Sequence, residues 1–353
     1  MSWFGPSPLA DTNGFAIGDF LPIAASVLSV FLVMGVGATC RTKQWLTKSA
    51  DISLAKLTAN VLLPSLFLDR ILTDDSLSSL VDVWQPPLFG FVETTCSFLF
   101  ALLLARKVGP WFGLDTDGKH RAFALCAGIC NYGYIPLPLA QIFYPSAEVE
   151  LIFHNVGVDL ALWSVGVSII AGTQPDEPIS PDRQPPPSPR WKRWRGRLSK
   201  LVSPPLIAVV LALSIRSTGL DRFIPGAVMK TLGWLAGTSI PMGLLLSGAI
   251  IIDFIRDADW HGSFKTILAA IGYRQFLMPI LMLAIAKSLA DSVDLQHVLL
   301  LQAAMPAAIF PIVLTRLYGG DTATALRVVL STSLAALVFI PGWMAVGAWF
   351  LGV

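Results

Sequence analysis

The chain alternates between apolar stretches about as long as a bilayer is thick and short polar connections that hold most of its charge. A helix that crosses a bilayer needs roughly 20 mostly apolar residues, and about ten stretches qualify as candidates. The first five are Phe20–Thr39, Ile52–Leu72, Pro86–Ala105, Ala122–Phe143 and Val149–Gly172. The second five are Pro204–Gly219, Pro225–Ile252, Lys265–Ala290, Leu295–Leu317 and Ala323–Phe350. Most are apolar all round rather than striped, as helices are when they face lipid or one another instead of water. The pattern predicts an all-α membrane protein of about ten transmembrane helices.

Composition agrees. Of 353 residues, 54% are hydrophobic and 14% charged, where soluble domains carry about a quarter charged residues; mean hydropathy is +0.66. The net charge of +2 gives no argument for a nucleic-acid partner, and none is expected. Cys40, Cys96, Cys126 and Cys130 lack paired metal spacing and read as small packing residues, so neither a metal site nor another cofactor is expected. Met1–Asp19 carries no Lys or Arg, unlike the start of a cleaved secretory signal, so the first apolar run is expected to stay.

Cytoplasmic loops are rich in Lys and Arg. Assigning every second connection to that side collects Arg41, Lys43 and Lys48, then Arg106, Lys107, Lys119 and Arg121, then Arg190, Lys192, Arg193, Arg195, Arg197 and Lys200, and later Arg256, Lys265, Arg316 and Arg327. The opposite side keeps Arg70, Arg216, Arg222, Lys230 and Lys287. Both termini then face outward, and the membrane is expected to be the plasma or inner membrane. Residues 1–172 form one five-helix half, 204–353 the other, and 173–203 a cytoplasmic linker. Pro185, Pro186, Pro187 and Pro189 keep that linker extended, and its basic run is open to two readings, a solvated charge cluster or a contact with anionic lipid. Five spans on each side make the halves an inverted repeat, with Pro64 answering Pro241 and Pro136 answering Pro306.

Two spans are interrupted. The fourth reads AGICNYGYIPLPLA over Ala127–Ala140, placing Asn131, Gly133, Pro136 and Pro138 at mid-membrane. The ninth reads LQAAMPAAIFPIVL over Leu301–Leu314, with Gln302, Met305, Pro306 and Pro311. Proline removes a backbone donor and clashes with the preceding turn, and irregular backbone at that depth survives only where protein or a water-filled cavity shields it. A matched pair of broken helices is the best sequence pointer to a transporter's binding site. Half-helices starting near Pro136 and Pro306 would aim unpaired N–H groups and positive dipole ends at the midplane, an arrangement suited to a carboxylate. Asn131 supplies hydrogen bonds there, and Tyr132 or Tyr134 an aromatic wall with a polar tip.

These motifs, with LTANVLLPSLFL at Leu57–Leu68, PPLIAVVLAL at Pro204–Leu213, SIPMGLLLSGA at Ser239–Ala249 and YRQFLMPILML at Tyr273–Leu283, resemble the auxin efflux carrier family, which includes PIN-type carriers and bacterial malate permease-like members. The resemblance covers nearly all the spans. It implies two inverted five-helix repeats with broken helices four and nine crossing, a scaffold domain that forms a homodimer, elevator-type alternating access, and small organic anions such as auxin or dicarboxylates as substrates. It also implies a secondary substrate or proton site at acidic groups in the third span, where Glu93 lies. Tyr134 stands where many relatives have Asn, and the long cytoplasmic domain of plant carriers is missing, so regulation by phosphorylation is not carried over.

Charges inside a membrane cost about 2.5–3.5 kcal/mol at a helix centre, so each invites a functional reading. Glu93 and Arg274 occupy corresponding places in the third and eighth spans. Arg274 is a candidate either to attract the anion or to pair with a carboxylate or backbone carbonyls. Asp159 is a candidate coupling-ion or proton site, or the partner of another helix, while His154 reads as interfacial packing. Asn60, Thr238 and Ser239 are candidates for substrate contact or for bonding their own helix backbone. The main rival is a sodium- or proton-coupled symporter of the bile-acid type. No HExxH or GxSxG pattern points to an enzyme.

Overall fold

The computed structural model describes residues 20–74, 84–172, 203–257 and 264–353, and among them every regular element is helical. The elements are α1 (Phe20–Thr42), α2 (Lys48–Thr73), α3 (Gln85–Phe112), α4 (Asp117–Ala127), α5 (Pro136–Phe143), α6 (Pro145–Ala171), α7 (Pro204–Ser217), α8 (Gly226–Arg256), α9 (Phe264–Leu289), α10 (Val293–Ala304), α11 (Phe310–Leu317) and α12 (Thr322–Leu351). Among the described residues seven helices, α1, α2, α3, α6, α8, α9 and α12, are long and apolar enough to cross a bilayer, and α7 is a shorter apolar helix. Met1–Asp19 and all of the 173–203 linker except Ser203, with its prolines and basic cluster, lie outside the described residues.

The two stretches with paired prolines each divide into two short helices, α4 with α5 and α10 with α11. Polar caps set several helix starts: Thr116, Ser203, Ser292 and Asp321 accept hydrogen bonds from the N–H groups of Lys119, Leu206, Leu295 and Thr324. The Thr116 cap is why the fourth apolar stretch begins as a helix at Asp117, five residues before the hydropathy pattern places it.

The helices pack in two groups. In one, α1 lies along α8 and α7 along α2, with α2 against α8. In the other, α3 lies along α6 and α9 along α12, and both hold the four short helices. Small residues permit the closest approaches: Gly37 and Gly248 meet the backbones of α8 and α1, while Gly90 and Gly157 meet those of α6 and α3. Side chains larger than hydrogen would collide with main-chain atoms at all four positions.

Arg41, read from the sequence as a loop cation, is instead 2% exposed at the end of α1. It pairs with Asp51 of α2 at 2.5 Å and Asp253 of α8 at 3.1 Å, pinning three helices of the first group together. A buried guanidinium persists because both neighbouring carboxylates offset its desolvation.

Candidate functional site

The non-helical stretches 128–135 and 305–309 lie against each other in the second group. Backbone polar groups that leave a helical ladder in an apolar interior must find partners, and here each stretch serves the other. The Asn131 N–H donates to the Pro306 carbonyl at 2.7 Å, and the Ala308 N–H to the Ile129 carbonyl at 3.1 Å, forming an isolated antiparallel bridge between Cys130 and Ala307. The Ala307 N–H donates to Thr332 Oγ1 of α12 at 3.2 Å.

Side chains lock the crossing from behind. Gln302 is fully buried at the end of α10; its Nε2 donates to Asn155 Oδ1 at 3.1 Å and its Oε1 accepts from Cys130 Sγ at 2.9 Å. Arg274, 2% exposed, donates through Nε to the Met305 carbonyl and through Nη2 to the Gln302 carbonyl, both at 2.9 Å. Of the two sequence readings for Arg274, the backbone-carbonyl pairing is the contact present: a cation sits on the electronegative C-terminal end of α10.

In front of the crossing, between the two helix groups, is a cavity of about 300 Å³. One wall is Asn131, Tyr132, Gly133 and Tyr134 with Ala308, Ile309 and Phe310; α6 contributes Asn155, Asp159 and Trp163; α2, α7 and α8 close the far side with residues such as Phe67, Ser203 and Ser247. The N–H groups of Gly133, Tyr134 and Ile135 ahead of α5, and of Ile309 and Phe310 at the start of α11, find no acceptor among the described residues. Two half-helix N-termini thus meet one cavity, each carrying about half a positive charge. Among the described residues no Lys, Arg or His lines it, and the acidic one is Asp159, whose Oδ1 accepts the Tyr132 hydroxyl at 2.6 Å. The Tyr134 ring packs onto Gly243 of α8, where a Cβ would strike it. Trp163 and Phe310 meet at ring centroids 5.9 Å apart.

The structure therefore brings Asn131, Tyr132, Gly133, Tyr134 and Asp159 to the cavity, with Pro136, Met305 and Pro306 in the crossing that supports it. Gln302 and Arg274 stand behind the crossing rather than on the cavity wall. Asn60 is exposed and bonds the Lys56 carbonyl of its own helix at 2.7 Å, and exposed Thr238 bonds the Leu235 carbonyl in the same way. Ser239 is fully buried away from the cavity and makes no side-chain hydrogen bond among the described residues. Glu93 faces His154 at 3.6 Å between α3 and α6; His154 is 1% exposed, deeper than an interfacial role would place it.

Sequence reasoning did not single out Asn155, Trp163, Gly243 or Ser247. A signal for them exists: Asn155, Asp159 and Trp163 recur at i, i+4 and i+8, and Gly243 with Ser247 at i, i+4, so each set marks one helix face.

The family model described as membrane transport protein matches residues 22–344. A protein of Methanothermobacter thermautotrophicus named as an uncharacterized transporter is 26% identical over 333 residues, covering 93% of this chain and 99% of its own length. Another uncharacterized transporter, from Methanocaldococcus jannaschii, is 24% identical over 325 residues, 90% of this chain and 96% of its own. With its apolar helices and a match over most of its length, the chain belongs to the membrane transport protein family, that of the auxin efflux carriers, and is an integral multi-pass transporter rather than an enzyme.

Proposed function

We propose that this protein is a secondary transporter that carries a small organic anion, such as auxin or a dicarboxylate, by elevator-type alternating access. The observation that carries the reading is the cavity between the helix groups, where N–H groups at two half-helix N-termini supply positive potential and, among the described residues, no basic side chain does. Such donors suit a carboxylate and hold it without the strong grip of a fixed cation, which favours release.

In this reading α4 with α5 and α10 with α11 are broken spans four and nine of ten, in two inverted repeats over 1–172 and 204–353 joined by a cytoplasmic linker. The recurrence of helix pairs supports it: α1 with α8 answers α7 with α2, and α3 with α6 answers α9 with α12. The group of α1, α2, α7 and α8 is the scaffold and the homodimer surface; the other group moves with the crossing and its cargo. Both termini face outward from a plasma or inner membrane, as the basic residues of alternate connections indicate.

Flux of radiolabelled indole-3-acetate, malate and other carboxylates into proteoliposomes, with and without sodium and pH gradients, tests this. Protein-dependent, saturable uptake of one acid is expected. Strict dependence on sodium would transfer the protein to the bile-acid-type reading, and failure of every acid to exchange would defeat the anion assignment.

A further inference from the structure

We propose that Asp159 carries a proton with the anion, so that the loaded cavity holds one substrate carboxylate and one protonated Asp159. This rests on the anion-transport reading above and assigns the coupling at the same site.

The argument is one of charge. The two half-helix N-termini at the cavity together supply about one positive charge. In the empty carrier that charge is matched by ionised Asp159, held by the Tyr132 hydroxyl at 2.6 Å. A monoanion then adds a second negative charge to a cavity whose described wall offers no basic side chain. Low-dielectric surroundings make such a surplus costly, and the loaded group must carry it past the scaffold. One proton on Asp159 restores the balance and turns its carboxyl into a donor able to reach the substrate carboxylate. Asp159 is well placed for this: it accepts the Tyr132 hydroxyl and lines the same cavity as Gly133 and Tyr134.

The surrounding ionisable groups do not take this role. Tyr132 and Tyr134 face Asp159 from the crossing as phenols. Cys130 is engaged with Gln302, and Arg274 with the carbonyls at the end of α10. On α6 itself His154 turns toward Glu93 of α3, and that pair is not among the residues lining the cavity. The described lining residues of α2, α7 and α8, Phe67, Ser203 and Ser247 among them, include no titratable side chain.

The test uses the full-length protein in weakly buffered detergent with a pH dye, and the same protein in liposomes, with indole-3-acetate and malate as probes. Binding of the monoanion indole-3-acetate is expected to take up one proton, with affinity falling up to tenfold per pH unit on the alkaline side, and an inward acid gradient is expected to drive its accumulation. Asp159→Asn removes the slope and the accumulation, and Asp159→Glu restores both. Anion binding or exchange by the wild type with no proton uptake overturns the assignment while leaving the transport reading intact. A pH slope that persists in Asp159→Asn also overturns it. A wild type that binds and exchanges neither probe nor any other carboxylate defeats the transport reading and this inference with it.

Discussion

Prolines sit inside several helices of this protein, yet they interrupt the helix in two places only among the described residues, and the contrast explains where the crossing forms. Pro241 and Pro341 lie inside α8 and α12, which run through them. Pro64 and Pro279 follow π-helical segments, Thr58–Leu62 and Gly272–Leu277, whose wider turn relieves the clash that the ring makes with the residues before it. At 128–135 and 305–309 the helix stops. Two features separate these sites from the others. Prolines come in pairs there, Pro136 with Pro138 and Pro306 with Pro311, so more than one donor is lost within two turns. Each break also finds a partner in the other, through the bridge at Cys130 and Ala307. A lone proline is absorbed by its helix here, whereas the paired prolines that face a complementary break open theirs.

Removing what stabilises the crossing should have the largest effect. Arg274→Met takes a buried cation from the carbonyls of two fully buried residues, Gln302 and Met305. A loss of about 3–5 kcal/mol is expected, by analogy with breaking a buried charge contact, read as a strongly lowered unfolding temperature in detergent together with lost flux. An unfolding temperature within a degree or two of wild type would show that the bridge holds the crossing unaided.

The proline contrast itself comes next. Pro136→Ala and Asn131→Ala should each lower uptake on the order of a hundredfold, about 2.7 kcal/mol in the transport step, with the protein still folded. Pro241→Ala should leave uptake within about threefold and hold or raise stability, since alanine is the better helix former in a continuous helix. Equal flux in all three variants and the wild type would remove the crossing from the mechanism.

How much of this could be read beforehand depended on whether the physics was local. Apolar length located the long helices, and the two Pro-rich motifs located the breaks, because such residues are conspicuous in an apolar run. Residue type did not distinguish Pro136 from Pro241: the partner that makes a break tolerable is about 170 residues away, and a single sequence does not display it. The same limit hid the contacts of Gln302 with Cys130 and Asn155 and left Arg274 with two readings. It also made Arg41 look like a solvated loop cation, since its second carboxylate comes from Asp253. The i, i+4 faces of α6 and α8 were legible as faces, but only packing shows which side of a helix turns to a cavity.

The smallest effect is expected at the start of the fourth stretch, where α4 begins with Asp117. Its carboxylate accepts hydrogen bonds from Arg121, one turn on, and from Arg106 Nη2 at 3.1 Å. The Arg121 bond holds the Asp117 carboxyl below its ordinary range against the opposing effect of burial, with Arg106 adding a smaller pull in the same direction as Arg121. A depressed folded-state value means the contribution is fully present above the unfolded value of about 3.9 and is lost as pH falls through the folded one. Because Asp117 is 52% exposed, solvent screening limits the contribution to a few tenths of a kcal/mol. Asp117→Asn should therefore lower the unfolding temperature slightly at pH 6, and the gap to wild type should close toward pH 3, with uptake at neutral pH unaffected. A gap that stayed constant with pH would assign the loss to packing or capping instead of charge. Flux that fell with Asp117→Asn would mean that the start of α4, and not the crossing alone, sets the rate of transport.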